Sequence, residues 1–419
     1  MVAKYARLKD LGNVLERGLV AFNDKTQSFE PLVRSDPDFL PYSDSGHVIH
    51  INVDGQEYFY FATPFPLAVR MRVKARWDDV IDLNRYEAYT SHQAKQLRSK
   101  SKQQLDLSKD NKAYRWVSFV ELLGNKTKHS VIEALKKEKE DVHLYDIESG
   151  REISPHNGTV YFNNYRKRWV SIFVQQYGDS SFLGEVWYAE ADTPVGPWAY
   201  TRKIATHNKY SFYNPKHHQY FDQDNGRVLF FEGTYTYTFS GSAENATPRY
   251  DYNQIMYRLN LNDQRLTLPV AVYQIQDKQG GINYLLRDSL EKADKWDLIE
   301  SIPFYAIEPA RDYKELIPVY AYTVPAKNTR TLCLTVKSPD DSANALFYAL
   351  PPTDLTNENP HIVPLYEYRH ANTGQYIYST TAQLDKKDWT RTENPLCKVW
   401  KAPADLLLLD SKAKPIIGY

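Results

Sequence analysis

Three segments near the C-terminus repeat one pattern, and that repeat constrains the fold more than anything else in the chain. Val272-Tyr273-Gln274-Ile275, Val319-Tyr320-Ala321-Tyr322 and Leu365-Tyr366-Glu367-Tyr368 set their first tyrosines 47 and then 46 residues apart. Each is followed by a second aromatic element, Pro303-Phe304-Tyr305-Ala306, Leu346-Phe347-Tyr348-Ala349 or Cys397-Lys398-Val399-Trp400, and then by Pro309, Pro351 or Pro403. Trp296 and Trp389 stand 23 residues after the tyrosine of the first and third units. A fixed period with strand-forming borders marks a fold assembled from copies of one supersecondary unit, because a single copy cannot bury its aromatic face. Val, Ile, Tyr and Phe dominate the borders. The pattern therefore predicts a three-fold, β-trefoil-like module over 268–419, with Tyr273, Tyr320 and Tyr366 as equivalent inward positions and the two tryptophans in matching places.

Residues 1–267 read as a second all-β domain. Segments 44–75, 156–204 and 214–262 each string together short alternating strands separated by turn signals. The strongest of these signals is Asp54-Gly55, with Arg166-Lys167 and Asp224-Asn225-Gly226 in the later segments. Successive antiparallel units of about 50 residues predict β-propeller blades, with a β-sandwich as the competing arrangement. An insertion rich in Lys, Gln, Ser and Leu occupies about 90–150, where Ser130 to Lys137 reads as a short amphipathic helix.

Lys plus Arg and Asp plus Glu both total 52, so no net field favours nucleic acid. The basic run Lys95 to Lys112 lacks interleaved aromatics and reads as a solvated insertion. No apolar run approaches the roughly 20 residues that span a bilayer, so no membrane insertion is expected. The N-terminus has no apolar signal core. As written the chain reads as cytoplasmic, and as extracellular or periplasmic if Met1 is an internal methionine of a truncated propeller. Cys333 and Cys397 allow one bridge at most. Phosphate loops, nucleophile elbows and zincin motifs do not occur, and no cofactor or metal is expected. The adjacent His217 and His218 point to opposite faces of a strand and cannot share an ion, while Asp222, Asp224 and Asn225 read as hairpin chemistry.

In a four-stranded blade, the connection into the first strand and the connection from the second to the third emerge on the same side. That rule gathers the chain's richest polar and aromatic loops onto one rim. For glycoside hydrolysis two carboxyl groups must flank the scissile bond, and the rim offers Glu185, Glu232 and Asp251. His156, Tyr213, Asn214, His218, Tyr235, Arg249 and Tyr250 are the candidate substrate-binding residues, since aromatic faces stack on sugar rings while imidazoles, amides and guanidinium groups fix hydroxyls.

Two local resemblances bear on this reading. Ala189-Glu190-Ala191-Asp192-Thr193-Pro194-Val195-Gly196-Pro197-Trp198 resembles the blade ending of five-bladed propeller glycosidases. Together with Tyr213-Asn214-Pro215, Phe231-Glu232-Gly233-Thr234-Tyr235 and Tyr252 to Tyr257, it is similar to uncharacterised bacterial propellers related to the endo-D-arabinanase group. That resemblance implies a glycoside-hydrolase-like protein acting on or binding a polysaccharide; the alternative is a non-catalytic glycan-binding or cell-surface interaction protein. The first-blade aspartates of the arabinanase-like group, in a Gly-Asp-Thr context, have no counterpart here. Pro364 to Arg369 and Asn372 to Thr380 resemble a bacterial extracellular repeat module, with Tyr376 where that module usually carries histidine.

Overall fold

The structure, a computed structural model, describes residues 2–10, 13–35, 48–61, 70–91, 114–124, 130–131, 134–135, 143–207, 209–238, 240, 251–309, 315–324, 329–336, 344–353, 358–404 and 407–416. Arg249, Tyr250, the basic stretch 95–112 and much of the expected insertion lie outside these residues; within it, 130–131 and 134–135 are helical. The described chain is all-β, built from curled antiparallel sheets with one parallel pairing. None of its helices is long and apolar enough to cross a membrane.

An N-terminal meander, β1 (Val2–Asp10), β2 (Asn13–Asn23) and β3 (Ser28–Ser35), is largely exposed. A second meander follows as β4 (Ile49–Val53), β5 (Gln56–Tyr60), β6 (Met71–Lys74), β7 (Glu87–Thr90) and β8 (Arg115–Ser118). Asp54-Gly55 forms the β4–β5 turn as its sequence demands, with φ of 50° and 83° and the Gly55 amide donating to Asn52 Oδ1 at 2.9 Å. The third sheet runs β10 (Pro155–Asn163), β11 (Arg168–Gln175), β12 (Val186–Ala191), β13 (Tyr200–Ala205), with β9 (Tyr145–Asp146) parallel to β13. Its central strands are apolar on both faces because both faces are covered. Val170, Ile172, Val186 and Tyr188 enter one core, and Trp169, Phe173, Trp187 and Ala189 enter another. The segment 189–198 turns tightly after β12, where Thr193 and Gly196 exchange backbone hydrogen bonds of 3.0 Å and Trp198 is buried.

A three-stranded sheet, β14 (Ser211–His217), β15 (Val228–Thr236) and β16 (Asn253–Asn260), packs through β14 against β10 and β11. The Asp224–Gly226 segment forms the expected turn, with Asn225 at φ 59°.

The repeats emerge as three hairpins with returning strands. They are β17 (Val270–Gln276), β18 (Ile282–Leu285) and β19 (Ile299–Ala306); β20 (Ile317–Val324), β21 (Thr329–Cys333) and β22 (Phe347–Ala349); and β23 (Ile362–His370), β24 (Tyr376–Ser379), β25 (Trp389–Arg391) and β26 (Cys397–Lys401). Their registers correspond. Val272 faces Phe304, Val319 faces Phe347, and Leu365 faces Cys397. Tyr273, Tyr320 and Tyr366 in turn face Leu285, Cys333 and Ser379. Val272, Val319, Leu365, Phe304, Phe347, Cys397, Ala306, Ala349 and Val399 are all fully buried in one shared core. The inward position is thus the residue before each tyrosine, since successive strand residues alternate in direction. Tyr273 is fully buried, but in the core it shares with the third sheet, while Tyr320 and Tyr366 are half-buried. The tryptophans diverge as well: Trp296 lies edge-on to Tyr273 at 5.7 Å, and Trp389 edge-on to His370 at 4.9 Å. Cys333 and Cys397 are free and buried.

A buried charge network fastens the first repeat unit to the third sheet. Arg168 pairs with Asp192, whose other oxygen accepts from the Tyr273 hydroxyl at 2.5 Å. Arg166 binds Glu190 at 2.8 and 3.1 Å and Glu308 at 2.8 Å. The last strand, β27 (Ala413–Pro415), then pairs with β4, and Asp410 just before it accepts from Tyr60 at 2.5 Å and Trp116 at 2.9 Å.

Candidate functional site

The β14–β15–β16 sheet sorts its residues by the two-residue period of a strand. Leu229, Phe231 and Tyr235 point into or against the core, whereas Glu232 and Thr234 take the opposite face. On that face Glu232 lies between Lys216 and Met256, and Thr234 lies between Tyr213 and Gln254. β16 alternates half-buried and exposed positions along its whole length, so this face is open.

His218, placed just after β14, brings Nε2 to 2.8 Å from Glu232 Oε1, an ion-pair contact without well-aligned hydrogen-bond geometry. Its Nδ1 lies 2.5 Å from the Tyr220 hydroxyl. Tyr220, His218 and Glu232 therefore form a chain of proton-bearing groups leading from the surface to a partly exposed carboxylate. His217 diverges to Asp222 at 2.7 Å, as neighbouring strand residues must.

Aromatic rings surround this chain. Tyr220 and Phe221 are 69 % and 49 % exposed. Tyr213 and Tyr252 meet hydroxyl to hydroxyl at 2.6 Å, and that hydrogen bond, followed by partial burial, raises the Tyr213 pKa. Tyr252, at φ 64°, is a largely exposed residue held in the left-handed region. Such a conformation costs a bulky side chain about 1–3 kcal/mol and concentrates at functional sites. Asn214, at φ 54° in the β14 bulge, accepts from Asn157 Nδ2 at 2.9 Å and ties the start of β10 to this face.

The sequence candidates separate accordingly. Glu232, His218, Tyr213 and Asn214 share one sheet, and Asp251 adjoins it through a long 3.4 Å hydrogen bond from Thr236. Glu185 is enclosed at 1 % exposure beneath the 178–184 loop, with Ser180 donating from its amide at 3.0 Å and its hydroxyl at 2.7 Å. A side chain at Gly178 would collide with this carboxylate, and Glu185 Oε2 has no partner. Tyr235 turns to the core side, stacking near Tyr210 and His207. His156 is half-buried with Nδ1 enclosed and unpartnered, and desolvation lowers its pKa. Tyr220, Phe221 and Tyr252 were not singled out from the sequence; the Tyr-Phe pair directly beyond Gln219, close after His218, is the local signal that could have marked two of them.

No protein-family model and no curated protein matches this chain. Among solved structures the chain is similar to an exo-β-1,3-galactanase from Phanerochaete chrysosporium, determined with β-1,3-galactotriose, at 9 % identity and a TM-score of 0.21. The alignment covers 76 % of this chain and 51 % of that one, so this chain spans about half the length of that relative.

Proposed function

We propose that the protein is carbohydrate-active, a propeller-like domain over 1–267 joined to a trefoil-like module over 268–419, and that it engages a polysaccharide across the face around Glu232. Support for the module comes from the matched registers and common core of the three repeats. The reading of the face rests on one observation: exposed aromatic rings, one of them on left-handed backbone, border a His218–Glu232 pair. Rings of this kind stack on sugar faces, and the Glu232 carboxylate, the Asn214 amide and the Lys216 ammonium supply hydroxyl partners.

In a hydrolytic version of this reading Glu232, which can exchange a proton with His218, protonates the departing glycosidic oxygen, and Asp251 supplies the second carboxylate. Enclosure of Glu185 removes the third candidate from the open face and favours the second reading, a glycan-binding protein that does not cleave. Affinity electrophoresis against a panel of plant and microbial polysaccharides, followed by reducing-end assays on whichever ligand retards the protein, tests both. Glu232→Gln should abolish cleavage and keep retardation if the protein is an enzyme. Retardation without product supports the binder, and no retardation by any polysaccharide refutes the proposal.

A further inference from the structure

A cavity of about 290 Å³ opens on the side of the third sheet near the C-terminal strand, away from the Glu232 face. Its walls come from four stretches that sequence order keeps apart: the β10–β11 hairpin, the turn after β12, the helix Arg287–Ala293 with Trp296 beyond it, and the segment leading into β27. Phe162, Trp169 and Trp296 give it aromatic sides. Arg287 is fixed there by its bonds to the Lys167 carbonyl and, at 2.9 Å, to Glu291.

Three polar groups on residues that line this cavity are left over by the protein. Asp410 is 9 % exposed, and both side-chain donors to it, Tyr60 and Trp116, bind Oδ2, leaving Oδ1 without a partner among the described residues. Arg287 Nε–H is enclosed without an acceptor, and the Trp169 indole N–H at the cavity wall likewise has none among the described residues. Buried polar groups are ordinarily paired, so an unpaired acceptor and an unpaired donor lining the same cavity call for a ligand that both donates and accepts. Charge narrows the class further. Asp192 is matched by Arg168, and Glu291 meets both Arg287 and, at 3.6 Å, Lys414, which leaves one cation to balance the Asp410 carboxylate, so the lining carries no net charge for an ion. Aromatic walls with paired charges and free hydrogen-bonding groups suit a neutral polyhydroxylated ring. The volume sits at the small end of ligand pockets and fits one ring rather than a chain.

We propose that this cavity binds a single neutral sugar residue, with Asp410 Oδ1 and Trp169 Nε1–H as its hydroxyl partners and Trp296 as a stacking wall. It is a site separate from the Glu232 face and stands without it. Saturation-transfer NMR and calorimetry on the full chain with galactose, glucose, mannose, xylose and arabinose would test it. At least one sugar should bind, Ser411→Trp at the cavity wall should abolish that binding, and Trp296→Ala should weaken it about tenfold or more. Glu232→Gln should leave it unchanged, which separates this site from the proposed polysaccharide face. Because Asp410 also holds Tyr60 and Trp116, Ser411→Trp is the primary variant, with thermal unfolding confirming that it folds. Binding of no sugar, or binding that survives in folded Ser411→Trp, overturns the proposal, as does tighter binding of phosphate or of a simple amine than of any sugar.

Discussion

Replacing Arg168 by Met tests the join between the third sheet and the first repeat. The Arg168 side chain is 6 % exposed and reaches three carboxylates: Asp192 directly, Glu308 at 3.6 Å and Glu190 at 3.8 Å. Burial alone would lower its pKa, and those carboxylates more than reverse the effect. Met keeps much of the volume and removes the charge. Asp192, 2 % exposed at its side chain, would retain Tyr273 as its side-chain donor, and Arg166 alone would face the carboxylates. Removing one partner of a buried ion pair costs about 3–5 kcal/mol, mostly through the stranded charge. At roughly 2–4 °C per kcal/mol for a large domain, the melting temperature should drop by on the order of 10 °C. Urea unfolding at pH 7 measures the loss. Adding Asp192→Asn should restore more than about 1 kcal/mol, because the two residues are in contact and their effects are not additive. A single variant within about 1 kcal/mol of wild type, or strict additivity in the double variant, would refute this account of the join.

Both kinds of inward position in the repeats should be costly to truncate: Leu365→Ala should cost about 2–5 kcal/mol and Phe347→Ala about 3–5 kcal/mol, read from urea midpoints. A cost below about 1 kcal/mol at either would place the shared core elsewhere. Acid should destabilise the protein in two stages. His207, His156 and His361 have pKa values lowered mainly by burial, so the unfolded chain takes up protons first and stability declines as pH falls below about 6.5. Burial raises the Glu190 pKa but Arg166 and Arg168 outweigh it, leaving it lowered, so its contribution is present above about pH 4.5 and lost as pH falls further. Stability that rises between pH 7 and 4 would contradict both assignments. Burial pushes the Cys397 thiol pKa up, so a thiol reagent at pH 8 should leave it unmodified until denaturant is added.

Features governed by neighbours in sequence were legible, and those governed by distant contacts were not. Asp54-Gly55 demands its turn locally, and the repeats announce themselves by the order of their landmarks. The tyrosines drew attention as the conspicuous residues of each repeat, yet strand alternation gives the inward place to the smaller residue before them. Glu185 looked like an exposed loop carboxylate because the fold of the 178–184 segment over it depends on close approach at Gly178 and Gly184, which a side chain would block. The Tyr273–Asp192 bond spans 81 residues and the Tyr60–Asp410 bond 350, so no window of sequence contains either. The cavity beside Asp410 was hidden for the same reason. On the candidate face Glu232, His218, Tyr213 and Asn214 could be found because they belong to one short sheet. Tyr252 needed the backbone angle to stand out.

The claim that the Glu232 face engages polysaccharide is tested most directly by one binding isotherm on two proteins. Wild type and the Tyr213→Ala, Tyr252→Ala double variant would be titrated with the polysaccharide that best retards the wild type, with unfolding curves confirming that both are folded. Loss of two stacking rings of this kind should weaken binding by about 1–3 kcal/mol, roughly five-fold to 150-fold. Equal affinity for the two folded proteins would contradict the assignment of this face.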